Sequence, residues 1–205
     1  MTLPTITSEN LEQIISFHGH WCPGLAIGIR AAQIALSQIG HSSDEEMVAL
    51  CETDMCGIDA VQFLTGCTLG KGNLIVRPYG KMAFSFYRRK DGKAIRLVLK
   101  KDSGKGTGSS DYRELQKKVN MNTITEEERL HFEELRKERC NAIMTMPIDE
   151  LFEIKEVREP VPPHAPMTGS LTCALCGESV METKARFFQG NSYCLPCFEK
   201  IVPRP

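Results

Sequence analysis

Phe17-His18-Gly19-His20-Trp21-Cys22-Pro23-Gly24-Leu25-Ala26-Ile27-Gly28 holds the turn from which the rest of the chain is read. Its first half is compact and polar, and its second half begins a helix. Pro23 suits a first helical turn, where a missing N–H costs nothing. Cys22 precedes that proline and is pushed toward extended geometry. Alternate residues of an extended segment point to one side, so His18, His20 and Cys22 can face one point. Imidazole and thiolate suit zinc or another late transition metal. The thiol also stands at a helix N-terminus, whose partial positive charge favours the thiolate. The spacing alone leaves two readings open: a metal or thiol site, or histidines held in a glycine-containing loop.

Upstream, residues 8–17 read as a short helix with Ser8 as N-cap and Leu11, Ile14 and Ile15 on one face. Downstream, the second helix runs to about residue 39 and ends at Gly40. Gly24, Gly28, Ala32 and Ala35 recur along it at helical spacing, a stripe that lets another backbone approach. A strand at 47–51, a helix at 56–64 and a glycine-rich turn at 66–73 follow. Strands are predicted at 74–76, 82–87 and 94–99, with Lys90-Asp91-Gly92-Lys93 as a hairpin turn. Residues 102–110 read as a flexible Gly/Ser stretch. Thr125 to Glu128 form a capping box that opens a helix to about residue 144, with Leu130, Leu135 and Ile143 on its apolar side. Pro147 turns the chain into a strand at 152–157. The order predicts an α+β core, with helices packed on a mixed or antiparallel sheet.

Two further cysteines could complete the first cluster. A helix between Cys56 and Cys67 would separate them by ~16 Å, so one ion cannot take both within one chain. Cys56 lies at the helix N-terminal end and is the better ligand candidate; Cys67, past the C-terminal end, is read as a pocket residue unless a second copy supplies it. Asp59 is placed to accept a proton or to orient a histidine. Lys71, in the glycine-rich turn, could meet an anion, although G-x3-G-K-G lacks the spacing and the Ser/Thr of a nucleotide loop. Cys22, Asp59 and Lys71 are the candidate catalytic set. Cys51 and Cys140 read as core thiols.

The whole chain has 205 residues, 41% hydrophobic and 25% charged, with a net charge of −1. That composition is globular, and it gives no whole-chain argument for nucleic-acid or membrane binding. No apolar run approaches the ~18 residues of a membrane helix, and residues 1–11 show no secretory signal; a cytoplasmic protein is expected. Nine cysteines in such a chain point to metal ligation or reactive thiols rather than disulfides.

Cys173-x2-Cys176 and Cys194-x2-Cys197, seventeen residues apart, have the spacing of a structural four-cysteine zinc site. A hairpin over 185–193, turning at Gln189-Gly190, should join the two knuckles, with Phe187, Phe188 and Tyr193 filling a small core. So short a segment buries too little apolar surface to fold unaided, and zinc supplies the deficit. Residues 161–205 carry four Lys/Arg against three Asp/Glu, which lacks the basic stripe that nucleic acid demands. Four prolines between 159 and 170 mark a stiff linker. The expected division is a core at 1–160, a linker at 161–170 and a zinc ribbon at 171–205.

The stretch 17–28 resembles the opening motif of the FmdE family, which takes its name from formylmethanofuran dehydrogenase. Cys56-Gly57-Ile58-Asp59-Ala60, Thr65 to Leu74 and Gly80-Lys81-Met82-Ala83-Phe84 match in order, over about residues 11–160. The cysteine quartet, with Cys176-Gly177-Glu178, resembles the DksA/TraR type of zinc finger. The resemblance implies an α+β core that forms a close homodimer, with a metal, zinc by preference, near the His/Cys motif. It implies association with a molybdenum or tungsten enzyme of one-carbon metabolism, in archaea and anaerobic bacteria. No motif for pterin, nucleotide or iron–sulfur cluster is visible, so the family name does not make this chain a dehydrogenase. Three readings follow: an accessory or regulatory metal-binding protein that contacts a larger metalloenzyme, a metal-dependent enzyme of hydrolytic or thiol chemistry, and a nucleic-acid-binding regulator acting through the ribbon. The first is favoured.

Overall fold

Two capping side chains set the geometry of the first helices in the computed structural model, which describes residues 2–101, 103, 110–157 and 159–202. Helix α1 spans Ser8–His18, and its N-cap is Thr7, whose hydroxyl accepts from Asn10 N at 3.1 Å. The cap thus lies one residue before the expected Ser8, because Thr7 holds the extended backbone a cap requires. Gly19 closes α1 at φ 96°, a conformation that costs other residues ~1–2 kcal/mol. Helix α2 spans Pro23–Gln38 with Cys22 as N-cap, its Sγ accepting from Leu25 N at 3.4 Å. From Leu25 to Ala35 every residue of α2 is buried, so this is the central helix of its unit.

The chain divides into two units, 1–164 and 165–205. In the first, strands β1 (Met47–Cys51), β2 (Leu74–Val76), β3 (Ala83–Arg88), β4 (Ala94–Leu99) and β5 (Phe152–Glu156) form one sheet in the order β2-β1-β3-β4-β5. Only β1 and β2 run parallel, joined through helix α3 (Gly57–Thr65); the other pairs are antiparallel, so the sheet is mixed. Period-2 alternation divides β1. Met47, Ala49 and Cys51 join the main core with Ile34 of α2 and Phe84, Phe86 and Leu97 of the neighbouring strands. Val48 and Leu50 face the other side with Tyr87.

That second face is partly covered by the proline-rich segment. Val161 packs against the Val48, Leu50 and Tyr87 cluster, and Arg89 donates to Pro162 O at 2.6 Å and Pro163 O at 3.3 Å. Residues 161–164, expected to begin a linker, therefore belong to the first unit. The glycine-rich turn is structural: Gly66 is left-handed at φ 74°, and buried Asn73 donates to Ser42 Oγ, Asp44 O and Met47 O.

No sequence signal announces helix α4 (Ser110–Asn120). It packs on α5 (Glu126–Thr145) through Tyr112, Leu115 and Phe132, the two rings stacked at 5.1 Å. The capping box of α5 forms as expected, but Leu130 points outward, 63% exposed; Phe132, Cys140 and Ile143 are the buried residues. Between α5 and β5 lies the short α6 (Ile148–Leu151). Except for Ser103 and Ser110, the Gly/Ser stretch read at 102–110 lies outside the described residues.

The second unit holds two small hairpins, β6 (Ser170–Thr172) with β7 (Ser179–Met181) and β8 (Arg186–Phe188) with β9 (Asn191–Tyr193), then α7 (Leu195–Ile201). Gln189 and Gly190 have φ of 47° and 77°, as a two-residue turn with both central residues left-handed requires. The hairpins are those of the expected ribbon, and α7 follows them. Phe187 does not fill the core but is 66% exposed, while Phe188 meets Phe198 edge-on at 6.2 Å.

Candidate metal centres

In the second unit the first knuckle, 173–178, is held by Cys173 N donating to Glu178 O and Gly177 N donating to Cys173 O, with Gly177 at φ 74°. The second pair sits where β9 enters α7, with Cys194 as the N-cap residue. Cys194 N points at Cys173 Sγ from 3.3 Å, and Cys176 and Cys194 Sγ lie 3.9 Å apart. All four sulfurs fall within 4.8 Å of one another. A tetrahedral zinc thiolate site sets its sulfurs ~3.8 Å apart, so the quartet fits a zinc finger. Backbone N–H groups aimed at Cys173 hold its thiol well below the usual range.

The other cluster is built over a longer stretch of chain. His18 ends α1, His20 lies in the turn, Cys22 caps α2 and Cys56 stands at the N-terminal end of α3. What brings Cys56 there is glycine against glycine. A Cβ on Gly28 would stand 2.2 Å from Gly57 O and 2.6 Å from Gly57 Cα; no side chain can occupy that space. One turn earlier, a Cβ on Gly24 would meet Cys56 Cβ at 3.2 Å. The small-residue stripe thus lets α3 approach α2 until their N-terminal ends share a site.

The ring of His18 is fixed from behind. Its Nδ1 lies 2.7 Å from Asp59 Oδ2, and its Nε2 lies 3.8 Å from Cys22 Sγ. An ionised carboxylate accepts, so Nδ1–H donates to it and Nε2 is the ring atom turned to the sulfur. The rings of His18 and His20 lie 4.5 Å apart between centroids. One donor atom from each of His18, His20, Cys22 and Cys56 falls within 4.8 Å of the others. Cys22 is buried, His18 and Cys56 are partly buried, and His20 is exposed. Burial, and then the second thiol at Cys56, push the Cys22 thiol up, against the pull of Leu25 N–H. Burial, then His18 and Arg136, lower the pKa of His20. The first shift makes a bare Cys22 thiolate costly unless a cation balances it, and the second favours the neutral His20 imidazole, the form that can bind one. By donor chemistry and spacing the set fits a late transition ion.

Two expected members stand elsewhere. Cys67 is fully buried with its Sγ 3.6 Å from Met47 O, inside the main core. Lys71 reaches Ser43 O with its Nζ at 3.5 Å and does not line the cluster. Cys51 and Cys140 are buried core thiols, each pushed up to about 12 by burial. Sequence reasoning missed Glu133 and Arg136 of α5, whose charges both act on His20; on a helix with charges on most faces nothing marks them.

Residues 17–153 match the family described as FmdE, molybdenum formylmethanofuran dehydrogenase operon, and residues 166–203 match the prokaryotic DksA/TraR C4-type zinc finger. A curated relative from Archaeoglobus fulgidus, named "Probable S-adenosyl-L-methionine-binding protein", is 32% identical over 188 residues, covering 88% of this chain and 50% of its own. The chain therefore spans about half the length of that relative. A crystal structure of a tungsten formylmethanofuran dehydrogenase FmdE-like protein from Syntrophus aciditrophicus is 27% identical, with a TM-score of 0.60 and full coverage of both chains. Among the described residues no helix is long and apolar enough to cross a membrane.

Proposed function

The chain belongs to the FmdE family and carries a DksA/TraR-type zinc finger, and on that premise we propose that it is an accessory or regulatory protein holding two ions. One is a structural zinc in the finger. The other is a transition ion, zinc by preference, held by His18, Cys22 and Cys56 with His20 on the exposed side. The convergence of those four donors, with Asp59 behind His18, carries the reading. Such an ion would supply Lewis acidity. The chain's own groups set its surroundings: Asp59 fixes the imidazole, Leu25 N–H supports the Cys22 sulfur, and burial excludes water from that side.

The family description, which names a molybdenum formylmethanofuran dehydrogenase operon, and the tungsten enzyme named for the Syntrophus neighbour are what support a partner among molybdenum or tungsten enzymes of one-carbon metabolism. Action as a cytoplasmic homodimer belongs to the same proposal. The test is metal content per chain. Two equivalents in the wild type, falling to one in His18→Ala/Cys22→Ala, are expected; one equivalent in both would refute the core site. Co-purification with a larger metalloenzyme tests the accessory role, and light scattering the dimer.

A second reading is favoured by the exposure of His20, the donor most able to yield its place to a small molecule. The name of the Archaeoglobus relative makes S-adenosyl-L-methionine the first probe. Calorimetric titration of the metal-loaded protein should show heat if that reading holds, and no heat at millimolar ligand would remove it.

A further inference from the structure

The face of the sheet turned away from α2 and α3 carries a cavity of about 550 Å³, within the range of small-molecule sites. We propose that it binds a small organic anion with an aromatic or apolar body. The floor is a cross-strand row: Leu50 pairs with Ser85, and Ser85 with Arg96. One wall is the segment 159–163, pinned by Arg89 through the carbonyls of Pro162 and Pro163. The other is the loop of Arg77, Tyr79 and Lys81. That rim is tied to the sheet, because Tyr79 N and Lys81 N both donate to Glu52 O at 3.1 Å.

The charges decide the ligand class. Arg96 donates twice to the buried Glu52 carboxylate, at 2.6 and 2.8 Å, so each neutralises the other. Two cations remain against one carboxylate, Glu159. Among the described residues the Arg77 guanidinium has no hydrogen-bond partner, and Lys81 Nζ comes no nearer than 3.9 Å to Glu52. A guanidinium fork beside an ammonium recognises a carboxylate, sulfonate or phosphate. Tyr79 is 60% exposed beside Lys81 and offers a flat surface to the body of such a molecule; the prolines opposite offer an apolar one.

The probe is 1-anilinonaphthalene-8-sulfonate, an aromatic sulfonate whose fluorescence rises when it leaves water. One saturable site per chain is expected, weakened ~tenfold or more in Arg77→Ala/Lys81→Ala and in high salt. The neutral N-phenyl-1-naphthylamine should distinguish that variant from wild type far less. Both substituted residues are exposed, and circular dichroism checks that the fold is retained. His18→Ala/Cys22→Ala should bind the sulfonate as wild type does. Absence of saturable binding, or equal affinity in wild type and Arg77→Ala/Lys81→Ala, would overturn the proposal.

Discussion

The cysteine quartet at 173–197 offers four sulfurs and the His/Cys cluster at 18–56 two sulfurs and two imidazoles, and the two are assembled in different orders. In the second unit the knuckles and the first turn of α7 place all four sulfurs locally, and the apolar surroundings are slight: Cys173, Ala185 and Cys197 are its only buried hydrophobic residues among those described. In the first unit the donors hang on helices already fixed by a core of Phe84, Phe86, Phe152, Ile34 and their neighbours. One site should therefore make its fold, and the other should be made by its fold.

The largest effect should separate the two. Stripping zinc with a strong chelator, or Cys173→Ser, should unfold residues 165–205, because zinc contributes ~10–16 kcal/mol in such modules. The first unit should stay folded. Limited proteolysis and amide exchange would read this directly: protection lost beyond 165 and kept before 164. Equal loss in both units would break the distinction.

Gly28→Ala should do the reverse. The added methyl would meet Gly57 backbone, which has no flexible end to yield. Overpacking costs ~1–3 kcal/mol, and the helix propensity gained, up to ~1 kcal/mol, offsets only part. A fall of ~2–8 °C in Tm follows for the first unit, with weaker metal binding at Cys22 and Cys56 as α3 is pushed back. Zinc in the finger should stay. Gly70→Ala, with nothing within 4 Å of the new Cβ, is the control and should be near neutral.

Asp59→Asn sharpens the comparison without touching the fold. The amide no longer holds the His18 tautomer by charge, and loss of such a support weakens metal binding ~10–100-fold. Competition with a chromophoric chelator should show one site weakened and the finger unchanged, with Tm almost unmoved.

The two sites are also legible in different ways. The finger can be read from spacing alone, because everything that positions its sulfurs is within a few residues of them. The core cluster can be read only in part. His18, His20 and Cys22 share one short segment, and Cys56 ranks above Cys67 because only one end of a helix can reach them. The strands are legible because short apolar runs and the turn residues that bound them agree, as at Met47–Cys51 and Ala94–Leu99. Helix α4 is not, since it buries only Tyr112 and Leu115 and is held by α5 rather than by its own pattern. Lys71 misleads for a related reason: a glycine-rich turn says that the chain bends, not which way its lysine points. The cavity on the second face has no sequence signature, because it depends on a proline segment folding back on strands far from it in the chain.

The smallest expected effect concerns acid, and again it divides the units. In the first, Arg96 above all, with help from Lys81, holds the Glu52 carboxyl below its ordinary range against the cost of burial. The folded-state pKa thus lies below the unfolded value of ~4.3. The pair's contribution is fully present above that value and fades as pH falls through the folded-state pKa. Arg96 is partly exposed, so the contribution should be about 1 kcal/mol. Glu52→Gln should then lower the stability of the first unit by about that much at pH 7. The gap between variant and wild type should narrow steadily below pH ~4. The finger gives way by a different route, as protons compete with zinc for its thiolates, so its melting should follow the same acid curve in wild type and variant. Denaturant melts with a probe in each unit would measure both. A constant gap in the first unit down to pH ~2 would mean that Glu52 acts through packing rather than charge.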